Sequence, residues 1–256
     1  MLTLAVIVDT LFHILWAALR VGGMVMMAPV FGAMFVPTRL RLLITLVLSF
    51  AMLPALGPLP AYSPLSLQGM LAVGQELVVG IAIGFLLKIA IEAAVIGGQI
   101  VSSGTGLSFA MVVDPQSGGI PLLGRFYLII ATLLMLVLNA HLQLIQVLAA
   151  SFAMVPIGSG GIHATDLRMV ADFAGLMFLG ALKLALPSVV AMLMVNVAFG
   201  VISRAAPTLN LFAVGFPITM LMGFLVILMD IGSHGPIWQA QLAETFSAIN
   251  RLLAGG

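Results

Sequence analysis

The sequence predicts an all-α, multi-pass membrane protein, and three observations carry that prediction. Hydrophobic residues fill 62% of the 256 positions, and the mean hydropathy is +1.28. Charged residues make up only 7% of the chain, against about 25% in soluble domains, too few to coat a water-facing exterior. The apolar residues also fall in long blocks, unlike the short alternating segments of a membrane β-barrel. Cysteine is absent, which excludes disulfides, thiolate metal sites and cysteine nucleophiles. A net charge of +1 with no basic patch excludes nucleic acid as an expected partner.

Six blocks approach the roughly 20 apolar residues that a helix needs to cross a bilayer, at Leu4–Met27, Leu42–Leu56, Met70–Ile96, Phe126–Ala153, Val170–Ser203 and Leu211–Met229. The first carries Asp9 and His13 and lacks a basic leader, so it does not read as a signal peptide. The second stops early at Pro54 and Pro58, predicting a short, tilted or shielded helix. The fourth and fifth exceed one crossing, and Pro187 is expected to kink the fifth. Prolines in the 58–66 stretch, glycines in 156–166 and the break after Arg204 mark connections. Beyond Asp230, Trp238, Leu242, Phe246, Ile249 and Leu253 follow helical spacing, which predicts an amphipathic helix over 237–253 for a membrane surface or a partner. The chain reads as one domain, 1–256, with no internal repeat. If every block crossed once, Arg39, Arg41, Arg125 and Arg204 would share the cytoplasmic side.

Ionisable residues at membrane depth need a protein or water partner. The candidates are Asp9, Arg20, Glu76, Lys88, Glu92, Lys183 and Asp230. Lys88 and Glu92 stand four residues apart, where they can neutralise one another. Two readings of these charges stand side by side, an ion or proton pathway and local ion pairs that make insertion feasible. The polar set Asn139, His141, Gln143 and Gln146 reads as interhelical hydrogen bonding. No metal spacing, nucleophile elbow, phosphate loop or paired carboxylate is present, so neither enzyme nor cofactor is expected. Gly80 and Gly84 make a small-xxx-small face for close helix approach, with subunits as possible neighbours.

The segment 97–121, "GGQIVSSGTGLSFAMVVDPQSGGIP", is too glycine-rich for a spanning helix and too apolar for a wet loop. Irregular backbone at membrane depth is tolerated inside protein or beside a water-filled cavity. Asp114 before Pro115 favours a turn. The segment therefore reads as a re-entrant loop presenting Leu107, Phe109, Met111 and Val112 to a cavity, either to seal it or simply to pack there.

"GLSFAMVVDPQSGGIP", "NAHLQLI" and "SRAAPTLNLFAVGFPI" together resemble the FliR family of flagellar type III export proteins, along essentially the whole chain. The resemblance implies bent helical hairpins packed into a helical, membrane-associated export gate rather than six simple crossings. It implies a non-enzymatic, pore-forming subunit in the bacterial inner membrane at the flagellar basal body, passing unfolded export substrates. The implied partners are FliP-like and FliQ-like subunits, an FlhB-like switch protein and membrane lipid. Carried over by residue, Phe109 and Met111 seal the channel, with Leu107 and Val112 beside them, and Asp114 and Pro115 fix the turn. Gly97, Gly98, Gly104, Gly106 and Gly118 act as loop hinges. Arg204, Pro207, Asn210, Gly215 and Pro217 match the second motif and are assigned to subunit packing. An injectisome subunit of the same family is the alternative, and a stand-alone secondary transporter the next. A transporter would concentrate charge at mid-membrane within an inverted repeat, and the sequence shows neither.

Overall fold

The computed structural model describes residues 4–33, 35–60, 62, 66–106, 120–160, 164–205 and 211–255. The described residues form eight α-helices and no strand. They are α1 (Leu4–Met27), α2 (Thr38–Met52), α3 (Leu67–Thr105), α4 (Leu122–Val137), α5 (Ala140–Met154), α6 (Ala164–Ala205), α7 (Leu211–Asp230) and α8 (His234–Ala254). Short 3-10 turns at Leu53–Ala55 and Ile231–Ser233 follow α2 and α7.

Five helical stretches among the described residues are long and apolar enough to cross a membrane: Val6–Met27, Thr38–Ala55, Leu67–Thr105, Arg168–Ala205 and Pro217–Ala254. A bent pair, α4 with α5, brings the number to six. The protein is thus a multi-pass helical membrane protein, as composition predicts.

Two blocks differ most from the sequence reading. The third block does not stop at Ile96, because α3 continues to Thr105. Gly97, Gly98 and Gly104, expected as loop hinges, therefore lie inside a helix; packing of neighbouring helices outweighs their poor helix propensity. The fourth block is two helices bent by 63°. The bend falls at Asn139, which takes the left-handed conformation at φ 55° that asparagine tolerates better than most residues. Pro187 lies inside α6, whose 42 residues make about 63 Å of helix, roughly twice a bilayer core.

The chain falls into two compact units, each assembled from separate segments. Unit 1 holds Met1–Ile89, Asn139–Ala174 and Leu242–Gly256, and unit 2 holds Ala90–Leu138 and Gly175–Gln241. The core of unit 1 includes Trp16, Met24, Ile83, Leu86, Leu87, Leu144, Leu148 and Phe152, all nearly inaccessible. That of unit 2 includes Ile91, Leu123, Ala131, Met135, Ala181, Leu184 and Met192. The C-terminal stripe is buried in the protein itself: Trp238, Leu242, Phe246, Ile249 and Leu253 are all inaccessible or nearly so. That burial corrects the expectation of a docking face for lipid or a partner. Exposed apolar side chains concentrate instead on α2 (Leu42, Leu46, Phe50), α6 (Phe178, Leu193, Met194) and α7 (Leu221, Leu225, Leu228).

Candidate functional site

The flanks of the apolar segment are built by helix packing in unit 2. A Cβ added to Gly98 would lie 2.6 Å from the Leu123 carbonyl oxygen and 2.8 Å from Gly124 Cα, so α3 and α4 touch backbone to backbone there. One added to Gly97 would lie 3.2 Å from the Ala181 carbonyl oxygen of α6. Gly104 faces the Met192 side chain of α6, and Gly223 of α7 lies against the Thr105 side chain. The C-terminal part of α3 is thus held by three helices.

The helix ends at Gly106, whose φ of +78° lies in the left-handed region that favours glycine at a helix C-terminus. The chain is described again from Ile120, and Pro121 with φ −54° and ψ 153° leads into α4. Of the predicted loop residues, Gly106 is where the helix stops. Leu107, Phe109, Met111, Val112, Asp114, Pro115 and Gly118 lie outside the described residues, as do Pro207 and Asn210. Arg204 ends α6 exposed, whereas in α7 Gly215 is buried and Pro217 exposed.

In unit 1, Gly80 and Gly84 do mediate a close approach, but their neighbour is α1 of the same chain. A Cβ at Gly80 would collide with the Arg20 carbonyl oxygen, and one at Gly84 would sit 2.7 Å from that of Met24. Gly23 of α1 reciprocates, with the Leu77 carbonyl oxygen 2.6 Å from an added Cβ. The subunit contact expected of these glycines is therefore corrected to an internal helix crossing.

This crossing buries an ion pair that spacing along the chain does not reveal. Arg20 is fully buried and Glu76 is 2% exposed. Arg20 Nε donates to Glu76 Oε2 at 2.8 Å, and one terminal nitrogen donates to Oε1 at 3.1 Å and to the Val155 carbonyl at 2.8 Å. The other donates to the Ser151 carbonyl at 2.7 Å and to Ser151 Oγ at 3.0 Å. All five donors of a guanidinium are thereby used. The guanidinium carbon stands 4.4 Å from the Phe152 ring centroid, within cation–π range. Since Ser151 and Val155 belong to the C-terminal turn of α5, the cation also caps that helix, where free carbonyls carry partial negative charge.

The remaining predicted charges behave differently. Lys88 and Lys183 are exposed and Glu92 is half-buried, and no ion pair joins Lys88 to Glu92. Local neutralisation between them, expected from their spacing, does not form. Asp9 pairs instead with His13 at 3.6 Å, and Asp230 with His234 at 3.3 Å. Ser151, Phe152 and His234 are the participants that sequence reasoning missed.

The profile for "Bacterial export proteins, family 1" matches residues 11–245. The chain belongs to the FliR family of bacterial export proteins. Among its FliR relatives, the flagellar biosynthetic protein FliR of Escherichia coli (strain K12) is 34% identical over 240 residues, covering 93% of this chain and 92% of that protein. The FliR protein of Pectobacterium carotovorum is 32% identical over 93% of this chain and 90% of its own. That of Aquifex aeolicus is 27% identical over 87% and 86%. FliR resemblance thus runs through both units.

Proposed function

We propose that the chain is a pore-forming, non-enzymatic subunit of the flagellar protein export gate in the bacterial inner membrane. The observation that carries this reading is the match, over more than nine-tenths of the chain, to relatives named flagellar biosynthetic protein FliR. Their flagellar names favour a flagellum over an injectisome. In this reading FliP-like and FliQ-like subunits and an FlhB-like switch protein are the neighbours, and unfolded flagellar proteins are the cargo. The exposed apolar faces of α2, α6 and α7 provide surface for lipid and for those neighbours.

Segment 107–119 is the closing element. Its sequence carries one charge, Asp114, and an apolar run at Phe109, Met111, Val112 and Val113, and its two attachment points are fixed, Gly106 by the clamped end of α3 and Ile120 by the start of α4. Anchored ends and apolar, adaptable Met and Phe side chains suit a hydrophobic seal that yields to a passing chain. Arg204 and Pro217, both exposed, serve contacts with neighbouring subunits together with Pro207 and Asn210, and the buried Gly215 supports them from within the chain. Lys88, Glu92 and Lys183, which form no ion pair among the described residues, find their partners in those subunits or in water.

Deletion of residues 107–118 is expected to raise ion leakage in cells that assemble the gate, while the complex is still recovered at wild-type mass. Unchanged leakage from a normally assembled complex would reject the seal.

A further inference from the structure

We propose that the outer face of α2 binds an anionic phospholipid, with the acyl chains along Leu42, Leu43, Leu46, Val47 and Phe50 and the headgroup on Arg39. Its basis is the multi-pass membrane character of the chain, not the export reading. Every residue in it belongs to unit 1.

Helix α2 has two faces of different chemistry. Toward the rest of the unit it turns small polar groups: Ser49 is fully buried, and Thr45 Cγ2 would stand 3.6 Å from a Cβ added to Gly22 of α1. Their hydroxyls donate to carbonyls one turn back, Thr45 to Arg41 and Ser49 to Thr45. On the outer face, from Leu40 to Phe50, every exposed residue is a leucine, a valine or a phenylalanine. Leu42, Leu43, Leu46, Val47 and Phe50 recur at helical spacing, each between 56% and 66% exposed. Helices that pack on other helices within a membrane favour glycine, alanine, serine and threonine, which let backbones approach. The chain follows that rule at its own crossing of α1 with α3, through Gly23, Gly80 and Gly84, and again at Thr45 and Ser49. An exposed face made only of large apolar side chains suits fluid acyl chains instead.

The charge at the head of this face is placed for a phosphate. Arg39 and Arg41 stand two residues apart and are used differently. Arg41 donates from Nε to the Val36 carbonyl at 3.1 Å and from a terminal nitrogen to the Ala33 carbonyl at 2.9 Å, which closes the turn before α2. Arg39 is exposed and makes no ion pair among the described residues. Phe35, four residues earlier and 82% exposed, leads into the same end of the helix. A guanidinium grips a phosphate through parallel N–H donors. Its stem can lie along hydrocarbon while its head stays at headgroup level. A zwitterionic headgroup would bring its own cation to Arg39, so an anionic one is favoured. From Arg39 to Phe50 the helix rises about 16 Å, close to half of a bilayer core about 30 Å thick. The acyl chains of a phospholipid whose phosphate sits on Arg39 therefore reach the level of Phe50. Length, side-chain type and charge agree on one occupant.

The chain contains no cysteine, so a single introduced one reports one place. The test labels Leu46→Cys, and in a second variant Leu43→Cys, with the fluorophore bimane. The tagged full chain is recovered with the subunits that accompany it and reconstituted with nitroxide-labelled phosphatidylglycerol or phosphatidylcholine. Both positions are exposed, so the substitutions leave the core intact. Both lipids are expected to quench the label, and aqueous iodide to leave it unchanged. The anionic lipid should be favoured about fivefold, the preference that one arginine near a membrane surface supplies. Arg39→Gln should abolish that preference while quenching by phosphatidylcholine persists. A label that neither lipid quenches means that another protein covers the face, and overturns the proposal, as does quenching by iodide. Equal quenching by the two lipids with Arg39 in place, or a preference that survives Arg39→Gln, overturns it as well.

Discussion

The two units solve the same problem, polar groups inside an apolar protein, in opposite ways. In unit 1 the guanidinium of Arg20 uses all its donors, on one carboxylate, two carbonyls and a hydroxyl. In unit 2 the buried Asp230 Oδ2 and His234 Nε2 stand 3.3 Å apart without a hydrogen bond between them. A fully satisfied network in a low-dielectric interior holds one arrangement, whereas a partly satisfied one leaves several within reach. The first thus acts as a rivet between α1, α3 and α5, and the second is the looser of the two.

The largest effect should come from breaking the rivet on one side only. Arg20→Met leaves Glu76 charged and buried, and uncaps the end of α5. Losing one partner of a buried pair costs about 3–5 kcal/mol. Unfolding in detergent should register that loss, and the double variant Arg20→Met with Glu76→Leu should recover most of it, because no unpaired charge then remains. A double variant no more stable than Arg20→Met would mean that the geometry, rather than charge pairing, holds the crossing.

Much of this organisation was legible in the sequence, and the misses share a cause. The bounds of α1 match the apolar block, and the α8 stripe follows helical spacing, because both are local patterns. Gly97 and Gly98 read as loop because glycine is a poor helix former, yet contact with Leu123, Gly124 and Ala181 keeps them helical. Arg20 and Glu76 are 56 residues apart, so no spacing rule joins them. The rule that an arginine in an apolar block needs a carboxylate did flag both residues, but it could not choose the pair. Lys88 and Glu92 show the converse, since ideal spacing produced no ion pair. Asn139 announced polarity but not a bend, because its left-handed backbone is a choice of the turn rather than of composition.

A middle-sized effect should separate two adjacent glycines in unit 2. An added methyl at Gly98 meets backbone atoms at 2.6 and 2.8 Å, which cannot swing aside, whereas at Gly97 the tightest contact is 3.2 Å. Overpacking of this kind costs about 1–3 kcal/mol. Gly98→Ala should fall in that range and Gly97→Ala below it, as measured by unfolding of the purified protein. Equal losses would show that the α3–α4 contact yields as readily as the α3–α6 contact.

The smallest effect is the sharpest test of the contrast. Ser151→Ala removes a hydroxyl that accepts from Arg20 at 3.0 Å and donates to the Leu148 carbonyl at 2.7 Å. Hydrogen bonds to charged groups contribute about 1.5–3 kcal/mol, so a loss near the lower figure is expected, the cation keeping its other four bonds. Tyr127→Phe also deletes a buried hydroxyl, one whose neighbour is the uncharged Ser188 side chain of α6. Losing a contact between two neutral hydroxyls while preserving the ring should cost about 0.5–1 kcal/mol, less than the loss in Ser151→Ala. Equal losses in the two variants would mean that the Tyr127 hydroxyl is as fully engaged as that of Ser151. The two units would then differ in composition but not in how firmly their polar groups are held.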